Sequence, residues 1–562
     1  LQGYIWDVPG FIQRMSVAGS FNGWDAGAVN MKLTGYTQWE YVYPFTSTNT
    51  YAFKFTANGN WDLNWGDATT NKLSLPITYQ AASQGGSDIE FVLTNPGFVR
   101  FRFNSSSGRF SVEAVASSNI TVAANDTTNF WYNNLAAKSQ AGDLDKFTMI
   151  WMPPPKKGNS GIQSVGYDPF DYYDLGTYNE KGSVKTRYGG ETELKSCVDT
   201  LRGRGIRPIV DLVLNHIQNG ASGADKFRFT YANHNTFEKL DPGGDNGNQY
   251  FNDSTNNAPF HYEYDFGRDV NFEHPYQRQG IKSWGDWVTA KVGYQGYRWD
   301  LAFNIDPWFI SEFMRSGLKQ DRFSVMEYWE KETEGTSEEM VTYLALTDYR
   351  SAMFDMPLRG ALQEMCNESG DFDMSLLTGK GLVNQTPQWS VTFAESHDTI
   401  RPYELKVSIT KDKMMAYAFV LMSEGLPMIA YNDYFLGQKA DQLIPDDSID
   451  DGWTGGTLKT NIDELIDIRR QFAGGDTTYL HADADLLVMK REGNEQKSGC
   501  ILTMNDNGSA TNSASVNTGW PQNTVLADAL DTGHTVQVQT GGTATLNAPP
   551  RGYRVYVNQD DL

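Results

Sequence analysis

Cysteine is scarce in this chain: Cys197, Cys366 and Cys500 are the three among 562 residues, and no two share a CxxC spacing. That spacing excludes a disulfide framework and a cysteine-ligated zinc site. Long apolar runs are also missing. The most hydrophobic stretch, 416–430, is interrupted by Ser423, Glu424, Gly425 and Pro427, and it falls short of the ~18 apolar residues that cross a bilayer. Basic charge is the third deficit, with 46 Lys and Arg against 69 Asp and Glu, a formal charge of −23. Such a surface repels nucleic acid and anionic lipid, so a neutral partner is expected, with neither nucleic acid nor membrane.

What the chain does hold is the material for large cores. Apolar residues make up 40% of it and charged residues 20%, and at roughly 150 residues per domain the length corresponds to three or four domains. Aromatic residues reach 13%, including 15 Trp, rings that fill cores or stack on sugars.

Short apolar runs at 148–152, 208–214, 296–300, 324–327, 352–354, 390–393 and 427–430 alternate with helical segments, the pattern of a parallel α/β sheet. Before the second run, Leu194, Cys197, Val198 and Leu201 fall at i, i+3, i+4 and i+7, one helical face. Gly3-Tyr4-Ile5-Trp6-Asp7 supplies an eighth strand, enough to close a barrel. The expected fold is therefore a (β/α)8 TIM barrel carrying three additions. Its first strand lies in 1–10, and alternating strand-and-turn patterns make 11–118 an inserted β-sandwich. The barrel continues over 119–216, beginning with a Ser/Asn/Thr/Ala-rich linker. An Asn/Gly/Asp-rich segment, 217–268, is too long for a barrel loop and reads as a small domain. Residues 269–474 complete the barrel, and 475–562 form a C-terminal β-sandwich.

Barrels of this kind carry their chemistry at the C-terminal strand ends. Those ends here hold Asp211 and His216, then Arg298 and Asp300, then Glu327, and finally Glu395, His397 and Asp398. Converging carboxylates push one another's pKa values apart, so that one stays ionised while another stays protonated. Glycosidic cleavage needs that division: a nucleophile for the anomeric carbon and an acid for the leaving oxygen. Arg298, two residues before Asp300, points to the same side of its strand and can keep that carboxylate ionised.

These stretches, DLVLNH, GYRWD, VMEYW and FAESHD, stand in the order and spacing of the four motifs of the α-amylase family, glycoside hydrolase family 13, which the chain resembles over 1–10 and 130–480. GYDPFDYYDLG at 166–176 and GLPMIAY at 425–431 extend the likeness. The resemblance implies Asp300 as nucleophile, Glu327 as general acid/base and Asp398 as the third carboxylate. It implies Tyr167, His216, Arg298 and His397 as substrate-binding residues, and Asp211 as the partner of Arg298. It also implies Ca²⁺, with Asn215 and Asp269 among its oxygen ligands, while Asp241, Asp245 and Asp265 serve equally well as turn formers. One departure is Asp300-Leu301-Ala302-Phe303-Asn304, where many members have a Lys-His pair; Phe303 either stacks on the sugar or is packed.

The inserted module resembles starch-binding modules through SFNGWD and WDLNWGD, which makes Trp24, Trp61 and Trp65 candidate sugar platforms. The implied function is an endo-acting, retaining α-1,4-glucan hydrolase acting on starch and maltooligosaccharides. Its alternatives are a maltooligosaccharide-forming exo-amylase or α-glucan transglycosylase and, from another class, an inactive carbohydrate-binding protein. A polymeric substrate makes secretion the expectation, and a monomer is the default.

Overall fold

Eight strands close a barrel: β1 (Tyr4–Trp6), β2 (Met149–Met152), β3 (Arg207–Leu212), β4 (Gly296–Trp299), β5 (Phe323–Met326), β6 (Ala352–Phe354), β7 (Ser390–Phe393) and β8 (Leu426–Ala430). The structure is a computed structural model that describes residues 4–6, 12, 15–27, 31–33, 38–57, 59–67, 72–105, 107–115, 130–218, 268–329, 336–368, 370–400, 408–436 and 458–562. The expected linker and nearly all of the small domain at 217–268, with Asp241, Asp245 and Asp265, lie outside the described residues.

Helices follow the strands in turn: α1 (Trp131–Ala141), α2 (Glu191–Gly203), α3 (Pro275–Val292), α4 (Pro307–Met314), α5 (Ser337–Leu346), α6 (Met356–Asn367), α7 (Lys413–Met422) and α8 (Lys459–Gln471). Leu194, Cys197, Val198 and Leu201 form the buried stripe of α2, as their spacing requires. The strands β2, β3, β4, β6 and β7 are buried along their whole length, because a parallel sheet is covered on both faces. No helix among the described residues is long and apolar enough to cross a membrane.

The chain divides into two compact units, 10–300 with 312–323, and 1–9 with 301–311 and 324–562. In the first, β2, β3 and β4 pair in parallel, Met152 opposite Val210 and Leu212 opposite Trp299. Gly296 opens β4 because a Cβ there would lie 2.2 Å from Ile209 Cδ1 and 2.9 Å from the Phe323 carbonyl. In the second unit β5 to β8 pair in parallel, Val325 opposite Ala352, Met353 opposite Ser390 and Phe393 opposite Met428.

The first strand departs from an all-parallel barrel. It lies antiparallel to β8, with Tyr4 opposite Ala430 and Trp6 opposite Met428. Trp6, the last described residue of β1, therefore lies toward the N-terminal end of β8.

In the first unit the insert spans Met15–Val115, with strand order that puts Gln38–Phe45 beside Gly97–Asn104 and Met15–Gly19 beside Asn49–Ala57. Period-two burial makes its core: Val99, Phe101 and Phe103 from one strand meet Phe53, Phe55 and Phe91 from others. Arg207, at the start of β3, donates to the Ile12 carbonyl at 3.3 Å and lies 5.6 Å from the Trp39 ring, while Lys32 pairs with Asp199 of α2 at 2.9 Å.

The C-terminal region of the second unit builds a six-stranded sheet and a two-stranded one around Leu486, Val488, Ile501, Leu526, Leu546 and Tyr556. Arg551 fixes it to the barrel helices, donating to the carbonyls of Met365 and Cys366 at 3.1 and 2.8 Å and pairing with Asp412 at 2.7 Å.

Candidate active site

In the first unit the polar residues at the ends of β3 and β4 form one hydrogen-bonded cluster. Arg298 Nη1 donates to Asp300 at 2.7 Å and to Asp211 at 3.0 Å, so the guanidinium spans the two carboxylates. Both Arg298 and Asp211 are wholly buried, and Asp300 nearly so. Asp211 also accepts from Trp151 Nε1 at 3.0 Å and from the Tyr167 hydroxyl at 2.7 Å. The Trp151 ring lies 4.5 Å from the guanidinium, close enough for a cation–π contact. The β4 strand thus presents Asp300 on a rigid, charge-assisted platform whose far side is Asp211.

His216 holds the backbone of another candidate residue. Its Nε2 lies 2.8 Å from the Tyr167 carbonyl, an acceptor only, so that nitrogen carries the proton and holds the Tyr167 backbone. Burial lowers its pKa from 6.5 to about 4; nearby Lys156 acts in the same sense, and the Tyr167 bond and Asp168 oppose it. The ring is neutral at neutral pH.

Two residues of this cluster are not singled out by the sequence. Trp151 looks like one more apolar strand residue. Lys156 is buried, donates to the Val213 carbonyl, and lies 4.0 Å from the Tyr172 ring centroid and 5.3 Å from that of Trp284. Burial pulls its pKa well below the usual lysine range, against the fields of Asp211 and Asp300.

In the second unit Glu327 follows β5 and is nearly buried. Its Oε2 accepts from the backbone N–H of Leu301 at 3.2 Å, and its carbonyl accepts from Ala302 N–H at 2.9 Å. Leu301 is the residue after Asp300 and sits in the left-handed region, φ 48°. Tyr343 locks the turn that follows, donating to the carbonyls of Ala302 and Ile305 at 2.5 Å. Phe303 is packed in it, 5% exposed and edge-on to Tyr328 at 6.4 Å. That answers the open alternative: it is a packing residue here.

His397 and Asp398 follow β7, with Nε2 of the histidine 3.2 Å from Asp398 Oδ2. The turn that carries them hangs from Glu395, a residue to which the sequence assigns no role. Glu395 is wholly buried and accepts from Thr399 Oγ1 at 2.5 Å, Ile409 N–H at 2.7 Å and Arg359 Nη2 at 3.0 Å. Lys413 lies 3.5 Å from it and pairs with Asp433 at 3.0 Å, whose other oxygen accepts from Tyr417 at 2.6 Å. Ser396 N–H donates back to Thr399 Oγ1 at 2.7 Å, closing the turn around His397.

Of the calcium candidates, Asn215 is buried and its carbonyl accepts from Val270 N–H at 2.8 Å. Asp269 lies on the neighbouring short strand, in register with His216. Their oxygens suit a hard cation, but two donors are fewer than the six to eight such an ion takes. Among the described residues no group of three His, Cys, Asp or Glu stands ready to hold a metal.

The insert's three tryptophans separate. Trp24 and Trp61 form a surface pair, ring centroids 6.2 Å apart and tilted by 43°. Asn22 shapes the turn before Trp24, accepting from Gly19 N–H and donating to the Val17 carbonyl, each at 2.8 Å. Trp65 is a core residue instead of a sugar platform. It lies on the strand Asn64–Asp67 opposite Phe55, turned inward against Phe103 at 5.1 Å.

No family model matches the chain. It is 27% identical over 415 residues to the cytoplasmic α-amylase of Escherichia coli strain K12, spanning 64% of this chain and 81% of that protein. It is 29% identical over 396 residues to an α-amylase of Bacillus licheniformis, 62% of this chain and 74% of that one. A glucan 1,4-α-maltohexaosidase of Bacillus sp. strain 707 is 27% identical over 432 residues, 67% of this chain and 79% of that protein. Among solved structures, the α-amylase of Geobacillus thermoleovorans complexed with acarbose superposes with a TM-score of 0.58 at 20% identity, covering 78% of this chain and 95% of that one. Likeness at that identity speaks for the fold.

Proposed function

We propose that the chain is a member of the α-amylase family of glycoside hydrolases, and that it is an endo-acting hydrolase of α-1,4-glucosidic bonds in starch and maltooligosaccharides that retains anomeric configuration. The observation that carries the reading is the buried Arg298 bridging Asp300 and Asp211, which sets a cation against Asp300 as a carboxylate nucleophile requires. Asp300 attacks the anomeric carbon while Glu327 protonates the departing glycosidic oxygen, leaving a glucosyl ester. Water, deprotonated by Glu327, then attacks the same carbon and frees Asp300, so two inversions give net retention. Asp398 and His397 hold sugar hydroxyls, and Tyr167 offers its ring to the same sugar. His216 supports this by fixing Tyr167.

A time course on amylose and on an end-blocked maltoheptaoside tests the reading. The α-anomer first by NMR and cleavage of the blocked substrate are expected; a β-anomer first overturns the mechanism. Refusal of the blocked substrate favours the second reading, a maltooligosaccharide-forming exo-enzyme, the activity in the name of the Bacillus sp. strain 707 relative.

Calcium belongs to this proposal, with Asn215 and Asp269 as two of its ligands across the pairing of residues 215–217 with 268–270. A bound ion would supply structural cross-linking there. The expected outcome is a lower melting temperature in EDTA, restored by Ca²⁺; unchanged melting removes the ion from the account. The boundaries 11–118, 217–268 and 475–562 are taken as domain limits, and the insert as a starch-binding module working through Trp24 and Trp61. A polymeric substrate supports secretion, which fractionation of the source cells tests.

A further inference from the structure

Tyr349 lies in the short connection between α5 and β6, and Trp389 directly precedes β7. The two strands are neighbours and parallel, Met353 opposite Ser390. Both aromatics therefore stand at the N-terminal end of this part of the barrel, while His397 and Asp398 follow the C-terminal end of β7. Neither is absorbed by the chemistry described above.

The rings form a surface pair, centroids 5.6 Å apart and tilted by 41°, with Tyr349 37% exposed. The backbone beneath them is strained, since Asp348 and Tyr349 both adopt φ 53°. Glycine is the ordinary occupant of such a position, and two successive L-residues there need outside support. They have it: Ser311 Oγ donates to Asp348 at 2.8 Å, and the N–H groups of Asp348 and Tyr349 donate to the carbonyls of Ala345 and Leu344, each at 3.0 Å. The backbone N–H of Trp389 donates to the Thr386 carbonyl at 2.9 Å. The fold thus maintains a left-handed turn whose side chain is displayed to solvent.

The same construction occurs in the insert. There Trp24 adopts φ 61° and meets the exposed Trp61 at 6.2 Å and a 43° tilt. Two unrelated folds, a sandwich turn and a barrel loop, arrive at one geometry: a left-handed aromatic beside a second ring at about the same separation and angle. Inclined rings that are also exposed suit one ligand class better than another. An α-1,4 linkage bends the chain, so the faces of nearby glucose units are inclined, whereas a β-1,4 glucan is a flat ribbon that matches coplanar rings.

We propose that Tyr349 and Trp389 form a second glucan-binding platform, specific for α-linked chains and separate from the catalytic strand ends. The proposal rests on the α-glucan reading above and adds a site to it.

The test uses the full chain carrying Asp300→Asn, which stops digestion, with Trp24→Ala and Trp61→Ala to silence the insert. Retardation is measured in native gels containing soluble amylopectin or hydroxyethylcellulose. Tyr349→Gly is the informative variant, because glycine adopts φ 53° freely and the ring is exposed, so melting should be unchanged or raised. Retardation by amylopectin should weaken about three- to tenfold, the worth of one stacked ring, and Tyr349→Phe should restore it. Undiminished retardation of the glycine variant overturns the platform, as does equal retardation by the cellulose derivative. A large fall in melting temperature also overturns it, by showing that the ring is there to pack. Turnover of a soluble maltooligosaccharide by the otherwise unaltered chain is recorded in parallel. Its absence condemns the proposed function, whereas its presence beside an unaffected glycine variant condemns the platform alone. Tyr349→Gly in that active chain should leave the turnover unchanged.

Discussion

His216 shows how one buried ring ties stability to the site. Burial lowers its pKa from 6.5 to about 4, so the folded state favours the neutral ring. The unfolded chain takes up the proton first as pH falls, so the stabilisation is complete above about 6.5 and is lost between there and about 4. The shift corresponds to something on the order of 3 kcal/mol. His216→Gln should therefore lose less stability than the parent between pH 7 and pH 4, measured by urea denaturation at each pH; parallel losses would dissociate the histidine from acid sensitivity. Around it, the role of Arg298 was readable because it stands two residues before Asp300 on one strand, whereas that of Asp211 came from the family resemblance. Trp151 was not, since an indole N–H that donates to a carboxylate looks, in a string of letters, like any apolar residue of a buried strand. Phe303 was readable only as two alternatives, and packing against Tyr328 chose between them.

The turn after β7 makes the same point for a whole element. Glu395 and Asp398 are two carboxylates three residues apart, and apart from the family resemblance the letters do not rank them. The structure does: Glu395 is the buried anchor, held between Arg359 and Lys413, and Asp398 stands at the partly open end of the turn. Glu395→Gln keeps the volume but leaves two buried cations short of an anion, which should cost about 3–5 kcal/mol. Because the turn carries His397 and Asp398, kcat should fall about 10- to 100-fold when measured well below the melting temperature, the scale of a small misplacement. Asp433→Asn, which disturbs only the distant half of the network, should lower melting with a smaller effect on kcat. Equal kcat losses in the two variants would make Glu395 a stabilising residue with no special hold on the turn. Elsewhere the barrel strands were legible because continuous apolar runs ending in polar residues are what a parallel, doubly covered strand requires. The direction of β1 was not. Three paired residues read the same forwards and backwards, and the antiparallel register comes from pairing with β8.

At the scale of the whole molecule the proposed binding role of the insert and the proposed chemistry of the barrel make separable predictions on a solid substrate. The insert's contacts with β3 and α2, through Arg207, Ile12, Lys32 and Asp199, lie at the strand-start end of the first unit, whereas Asp300 lies at the strand-finish end. A glucan held by the insert therefore gains no direct contact with the nucleophile in that unit. On the proposed reading the insert would raise the local concentration of catalyst at a surface, an effect that vanishes for dissolved chains. Trp24→Ala with Trp61→Ala should accordingly leave turnover of soluble maltooligosaccharides unchanged and slow the release of reducing sugar from raw granules several-fold, on the order of the loss of two stacked rings. Trp65→Ala is the contrasting variant. Although it shares the WDLNW stretch with Trp61, it opens a hole against Phe103 and Phe55, and a large aromatic lost from a core costs about 3–5 kcal/mol. That variant should melt in a separate early transition, and it should be slow on granules only because the sandwich no longer folds. Calorimetry distinguishes the two causes: a surface-pair variant that melts like the parent yet fails on granules assigns the defect to binding, and one that digests granules at the parent's rate removes the insert from substrate capture.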